Sequence, residues 1–157
     1  MKINPTLEGG LRIDAEDLGD WEILHAILHD AKRGDTDLAA DLGKLITDDD
    51  AAEDWREYVI PDLRDDFEDQ LSKVAQAIES AMDATSGGPG SIWIHRADGF
   101  IWYGALNQAR LAIEDLHHFG PTENVSMDDL HPARRSAFFR SQFYLAIQSL
   151  LLDHVMR

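Results

Sequence analysis

A chain of 157 residues can bury roughly 70% of its unfolded surface in one core, so a single helical domain spanning 1–157 is predicted. Its 30 acidic residues against 14 basic ones give a formal net charge of -16, which repels phosphate backbones and anionic lipid and excludes nucleic acid and membrane surfaces as first partners. The absence of cysteine excludes disulfides, thiolate metal sites and a cysteine nucleophile.

In chain order, Lys2 to Leu7 and Leu11 to Ile13 read as short extended pieces around a tight turn at Glu8, Gly9 and Gly10, a small β-hairpin. Asp14 is placed to cap a helix from Ala15 to about Ala31, with Lys32 and Arg33 at its negative end and Gly34 at its exit. Trp21, Leu24, Ile27, Leu28 and Ala31 form its apolar face, with Glu22, His25 and His29 along the edge. Thr36 to Ile46 predicts a short helix weakened by Gly43. The acidic turn at Asp48 to Asp50 starts another through Trp55 and Tyr58, bounded by Pro61.

From Ile60, the set Leu63, Phe67, Leu71, Val74, Ile78 and Met82 keeps one stripe over several turns, the cleanest amphipathic helix in the chain. Asp62, Asp65, Asp66, Asp69, Lys73, Gln76 and Glu79 lie opposite and read as a solvated face rather than a magnesium site. Thr85 to Ser91 reads as a flexible loop; it lacks the lysine and following helix of a phosphate loop. Ile92 to Ile94 is predicted extended, beside the first hairpin. A second hairpin turning at Asp98 and Gly99 is the rival reading there, but the helical period from Trp102 to Leu116 favours Asp98 as a cap.

The segment from Phe100 to His118 organises the rest. Trp102, Ala105, Leu106, Ala109, Ile113 and Leu116 share one face, and Phe100 and Leu111 lie nearly opposite, so packing on both sides is predicted. Between them runs a polar stripe of Tyr103, Asn107, Arg110 and Glu114 at helical spacing, which a neighbouring helix could cover and which is the first candidate binding site. Its plainer reading is an (i, i+4) pair of Arg110 with Glu114, with Tyr103 and Asn107 bonded to backbone or water. Gly120, Pro121 and Thr122 end this helix, and Ser126 to Leu130 reads as the capped entry to the last. From Ala137 to Met156 apolar residues lie almost all round, so a place mid-bundle or a homodimer interface through this C-terminal helix is predicted. Arg134, Arg135 and Arg140 form a basic cluster, either paired with acidic helices of the same chain or docking an acidic partner.

Two Glu-x-x-His spacings, Glu22 with His25 and Glu114 with His117, have the form used by di-iron helical bundles. The second half of such a site is missing: no glutamate lies between Ala133 and Arg157, and the acids of the helix after Pro61 mostly point away from its apolar stripe. Ala26 stands where a His-Glu-x-x-His protease carries glutamate. A metal-dependent enzyme using these four residues is therefore the alternative. There is no Gly-x-Ser-x-Gly elbow, and no cofactor is predicted. No apolar run reaches membrane-spanning or signal-peptide length, so a cytoplasmic protein is predicted.

The segments LRDDFEDQLSKVAQAIESA and IWYGALNQARLAIEDL, followed by a long apolar terminal helix, resemble the bacterial family known as domain of unknown function 2017. Trp102, Ala105, Leu106, Asn107, Arg110 and Leu111 look like its tryptophan-to-Leu-Asn-x-x-Arg-Leu signature; family members then turn at a glycine, whereas Ala112 to His118 here extends the helix. The resemblance covers most of the chain and implies a bacterial, mostly helical protein with no assigned activity. Some relatives are encoded beside the adaptor of a Clp-type protease. The combined reading is a mainly α helical bundle with a small N-terminal hairpin, a non-enzymatic binding or protein-interaction module of adaptor or regulatory kind.

Overall fold

The computed structural model describes residues 1–33 and 37–157 and has a mainly helical architecture with one small sheet. Strand β1 (Lys2–Pro5) pairs antiparallel with β2 (Leu11–Ala15), Ile3 opposite Ile13. Strand β3 (Gly90–Ile94) adds to the other side of β2, with Leu11 opposite Ile94, so the order is β1-β2-β3. Alternation sends Leu11, Ile13, Ala15, Ile92 and Ile94 into the core. On the outer face Arg12 stacks over Trp93 at 5.4 Å, and Asp14 accepts a 2.6 Å bond from Ser91. That bond, with Arg12 beside it, holds the Asp14 carboxyl below the usual range.

Asp14 therefore belongs to the sheet and caps no helix. Helix α1 (Leu18–Lys32) starts later than predicted, because Asp17 accepts from the Asp20 N–H at 3.0 Å while Ala15 still completes the inward set of β2. Gly34 and Thr36 lie outside the described residues. Helix α2 (Leu38–Gly43) is capped by Asp37, which also pairs with Arg64. Helix α3 (Asp49–Asp54) runs through a π turn (Trp55–Val59) into α4 (Ile60–Ala84) without interruption. Pro61 thus does not bound two helices, contrary to the expectation from its residue type. The π turn sends the Ile60 N–H to the Trp55 carbonyl, one residue further than in an α-helix, which widens the turn that must accept the proline ring. Gly43, a weak helix former, leaves room for the Trp55 ring, whose N–H donates to the Ala39 carbonyl at 3.1 Å.

On α4 the predicted stripe is realised: Ile60, Leu71, Val74 and Ile78 are buried, and the acids from Asp62 to Asp69 are exposed. The glycine-rich segment after α4 forms hydrogen-bonded turns, and its last residues, Gly90 and Ser91, already belong to β3. Gly87, at φ 79°, donates to the Met82 carbonyl, and Trp21, fully buried in α1, donates its indole N–H to the Gly88 carbonyl at 2.9 Å.

Helix α5 (Gly99–His117) packs against α1, α4 and α6 (Pro132–His154). Asp98 sits at its N-cap position but makes no side-chain cap bond, since its backbone is already helical inside a 3-10 turn, Arg96–Asp98. Trp102, Ala105, Leu106, Ala109 and Ile113 are buried as predicted. The opposite apolar face is not: Phe100 is 72% and Leu111 42% exposed, because the three packing partners of α5 occupy its other sides. Leu116, in the last turn of α5, is also exposed. His118 closes the helix in the left-handed conformation at φ 51°. The entry to α6 is capped by His131, whose Nδ1 accepts from the Ala133 N–H, with Pro132 in the first turn; Ser126 precedes only a short 3-10 turn.

The α1–α6 contact is fixed by a buried ionic group. Asp30, 3% exposed, accepts from Arg140 Nε at 2.8 Å and Nη2 at 3.0 Å, and from the Tyr144 hydroxyl at 2.6 Å. Burial, then the Asp30 carboxylate, pushes the Tyr144 hydroxyl pKa up, and the bond to Asp30 raises that of Arg140. Of the basic cluster, only Arg140 pairs with an acid among the described residues. Arg134 donates to the His117 carbonyl at 2.7 Å, at the negative end of α5, and Arg135 donates to the carbonyls of Met127 and Leu130. Among the described residues no helix is long and apolar enough to cross a membrane.

Candidate functional site

Helix α5 carries Tyr103, Asn107, Arg110 and Glu114 along one side, and α6 covers part of that row. The covering residue is Gln148, 1% exposed, which accepts from Arg110 Nη1 at 2.7 Å and donates to the Tyr103 carbonyl at 3.3 Å. Gln148 is absent from the residues that spacing singles out; its only signal in the sequence is an amide between Ile147 and Leu151 in a helix otherwise apolar on that side.

Next to the Gln148 contact, residues of α5 and α6 together with residues 119–122 line a common space. The result is a cleft of about 370 Å³, within the range of small-molecule sites. Leu111, Phe119, Pro121 and Phe138 give it apolar walls, and Asn107, Arg110, Glu114, Thr122, Ser141 and Gln142 its polar groups. Phe138 meets Phe119 edge-on at 5.4 Å between ring centres, and Arg134 lies 5.0 Å over the Phe119 ring, so this wall is braced from behind.

The polar groups are unevenly satisfied. Arg110 and Glu114 stand one helical turn apart yet do not pair. Arg110 is held by Gln148, while Glu114 accepts the Gly120 N–H at 2.9 Å and so holds the turn at the cleft's end. Gly120 itself takes φ 72°, which a glycine adopts without a Cβ clash. Arg110 Nε is buried and has no hydrogen-bond partner, alone in this among the buried side-chain atoms of the described residues. Such a donor costs on the order of 1–3 kcal/mol of folding free energy. The Asn107 amide and the Ser141 hydroxyl, also on the cleft, make no bond to another described residue, whereas Gln142 donates to Thr122 at 3.2 Å.

The Glu-x-x-His residues are placed differently. His25 contacts Glu79 of α4 at 3.3 Å and meets the His29 ring at 5.8 Å, and Glu22 is exposed on α1. Glu114 serves the Gly120 turn, and His117 stacks on Phe119 with ring centres 5.2 Å apart. Burial lowers the His117 pKa, assisted by the charges of Arg134, Arg33 and Arg140. Among the described residues no three of His, Asp or Glu are grouped so as to hold a metal ion.

The sequence model of the family described as Domain of unknown function (DUF2017) matches residues 5–155. No curated protein and no solved structure matches the chain.

Proposed function

The chain belongs to this family of unknown function, and we propose that it is a non-enzymatic binding module, adaptor or regulatory in kind, that takes its ligand in the cleft between α5 and α6. The observation that supports this is the convergence on one cleft of a buried arginine donor, an amide and a hydroxyl, none with a protein partner among the described residues, beside apolar walls. Buried polar groups are otherwise satisfied in folded proteins, so an orphaned donor on a residue that lines a cleft supports a ligand there. Nuclear magnetic resonance screening with a mixed set of small carboxylates, amines and neutral aromatics tests it. Shifts confined to amides 107–122 and 138–142 are expected; shifts only elsewhere, or none, would contradict it.

A homodimer through α6 belongs to the same reading. Phe139 and Leu152 stand 56% and 49% exposed on that helix, apolar surface that a second copy would cover. Sedimentation of the wild type and of Phe139→Glu tests it: a dimer that the variant reduces to monomer supports the interface, and a monomeric wild type excludes it. A bacterial, cytoplasmic setting and a protein partner for the dimer complete the proposal.

A further inference from the structure

The charges along the cleft narrow the ligand class. Arg110 has its Nη1 on Gln148, which leaves the Nε/Nη2 edge, the edge that grips a carboxylate through two parallel bonds, without a partner among the described residues. Nε is closed off from solvent where it stands. Arg110 itself lines the cleft, and presenting that edge to a ligand there requires a turn about its outer torsions.

A plain carboxylate there would face the Glu114 carboxylate one turn along the same helix, and like charges at that spacing repel. A cation alone would face Arg110. The opposite charges are kept from each other by separate partners, Gln148 and the Gly120 N–H, so the α5 side of the cleft presents two opposite charges one turn apart that a single bipolar ligand can meet. Asn107 and Ser141 lie beside them as neutral donors and acceptors, and Leu111, Phe119 and Phe138 offer apolar surface. We infer that the α5–α6 cleft binds a free α-amino acid with an apolar side chain, carboxylate to Arg110, ammonium to Glu114, side chain to the Leu111, Phe119 and Phe138 wall. This rests on the reading of the cleft as a ligand site.

The test is isothermal titration of the intact protein with L-leucine, L-methionine and L-phenylalanine, each beside its N-acetyl and amide derivatives and a blocked tripeptide ending in the same residue. At least one free amino acid should bind one-to-one, with each capped derivative weaker by about tenfold or more. Arg110→Met and Glu114→Gln should weaken it similarly, with folding checked by circular dichroism; Asn107→Ala, which leaves both charges in place, keeps the test informative if the Arg110 variant unfolds, and should also weaken binding. Equal binding of the N-acetyl derivative or the tripeptide would overturn the inference in favour of a peptide carboxyl terminus, and the cleft would remain a ligand site. Binding by none of these probes, with other small molecules still shifting the cleft amides, would overturn the inference alone. Silence of the cleft to every probe would overturn the underlying reading as well.

Discussion

Replacing Asp30 with alanine should cost the protein more stability than removing any other single polar side chain of the α1–α6 contact. The carboxylate receives three hydrogen bonds, two from Arg140 and one from Tyr144, and lies 3% exposed between α1 and α6. Its removal leaves the Tyr144 hydroxyl buried without an acceptor and the Arg140 guanidinium, only 18% exposed, without its counter-charge. Breaking a buried pair on one side costs about 3–5 kcal/mol, since the remaining charge stays desolvated. For a domain of this size each kcal/mol moves the melting temperature by about 2–4 °C, so a drop of roughly 6–20 °C is expected. Tyr144→Phe removes one bond to a charged acceptor and leaves the ion pair, so about 1.5–3 kcal/mol is expected. The triple variant Asp30→Leu, Arg140→Met and Tyr144→Phe should recover most of the loss, as both charges and the buried hydroxyl leave together. Urea denaturation of the wild type and these three variants measures all of this. A loss below about 1 kcal/mol for Asp30→Ala would show that water already screens the group and would refute the reasoning.

Gly10→Ala should cost more than about 1 kcal/mol, because a Cβ there would overlap the Ile94 backbone carbonyl and part β2 from β3; thermal melting that matches wild type would contradict that register. His117 has a folded pKa below its ordinary 6.5, so its contribution to stability is complete above pH 6.5 and is lost as pH falls through 6.5 toward the folded value. Chemical denaturation between pH 7.5 and about 5 should therefore show a downward step that His117→Gln lacks. Protein purified without an affinity tag should contain no stoichiometric iron, manganese or zinc by elemental analysis, since His25, Glu114 and His117 each have other neighbours and Glu22 is exposed on α1; one equivalent of metal lost on changing His25 and His117 would overturn that expectation.

The fold is largely legible where one periodicity runs uninterrupted. The Leu71, Val74 and Ile78 part of the α4 stripe, the Trp102 to Ile113 face and the alternation of Leu11 and Ile13 each bury a continuous apolar set, and local pattern is then enough. Legibility fails where a local signal has two uses. Asp14 has the chemistry of a cap, but its partner Ser91 is distant in sequence, so its place in the sheet leaves no local trace. Pro61 reads as a boundary because nothing in the neighbouring residues signals a π turn that admits it. Phe100 and Leu111 count as core by residue type, yet three packing partners leave their side of α5 open. The candidate site is half visible: spacing puts Tyr103, Asn107, Arg110 and Glu114 in one row, but the partners that split Arg110 from Glu114, namely Gln148 and the Gly120 N–H, come from α6 and from a turn. Arg140 stands out as a base, while Asp30, its partner, sits among the apolar positions of α1, where a lone acid has no local mark of a distant pair.

If Arg110 is kept for a ligand rather than for the fold, as proposed, the stability of the double variant Arg110→Met with Gln148→Leu shows it most directly. This pair of changes removes the unpaired Nε together with the amide that would otherwise be orphaned. Replacing both partners of a buried polar contact by apolar groups of similar shape is neutral or stabilising when the contact serves no structural need. A urea midpoint equal to or above that of the wild type is expected, with ligand binding at the cleft lost. A fall of more than about 2 kcal/mol would contradict the proposal, since Arg110 would then be holding α5 to α6.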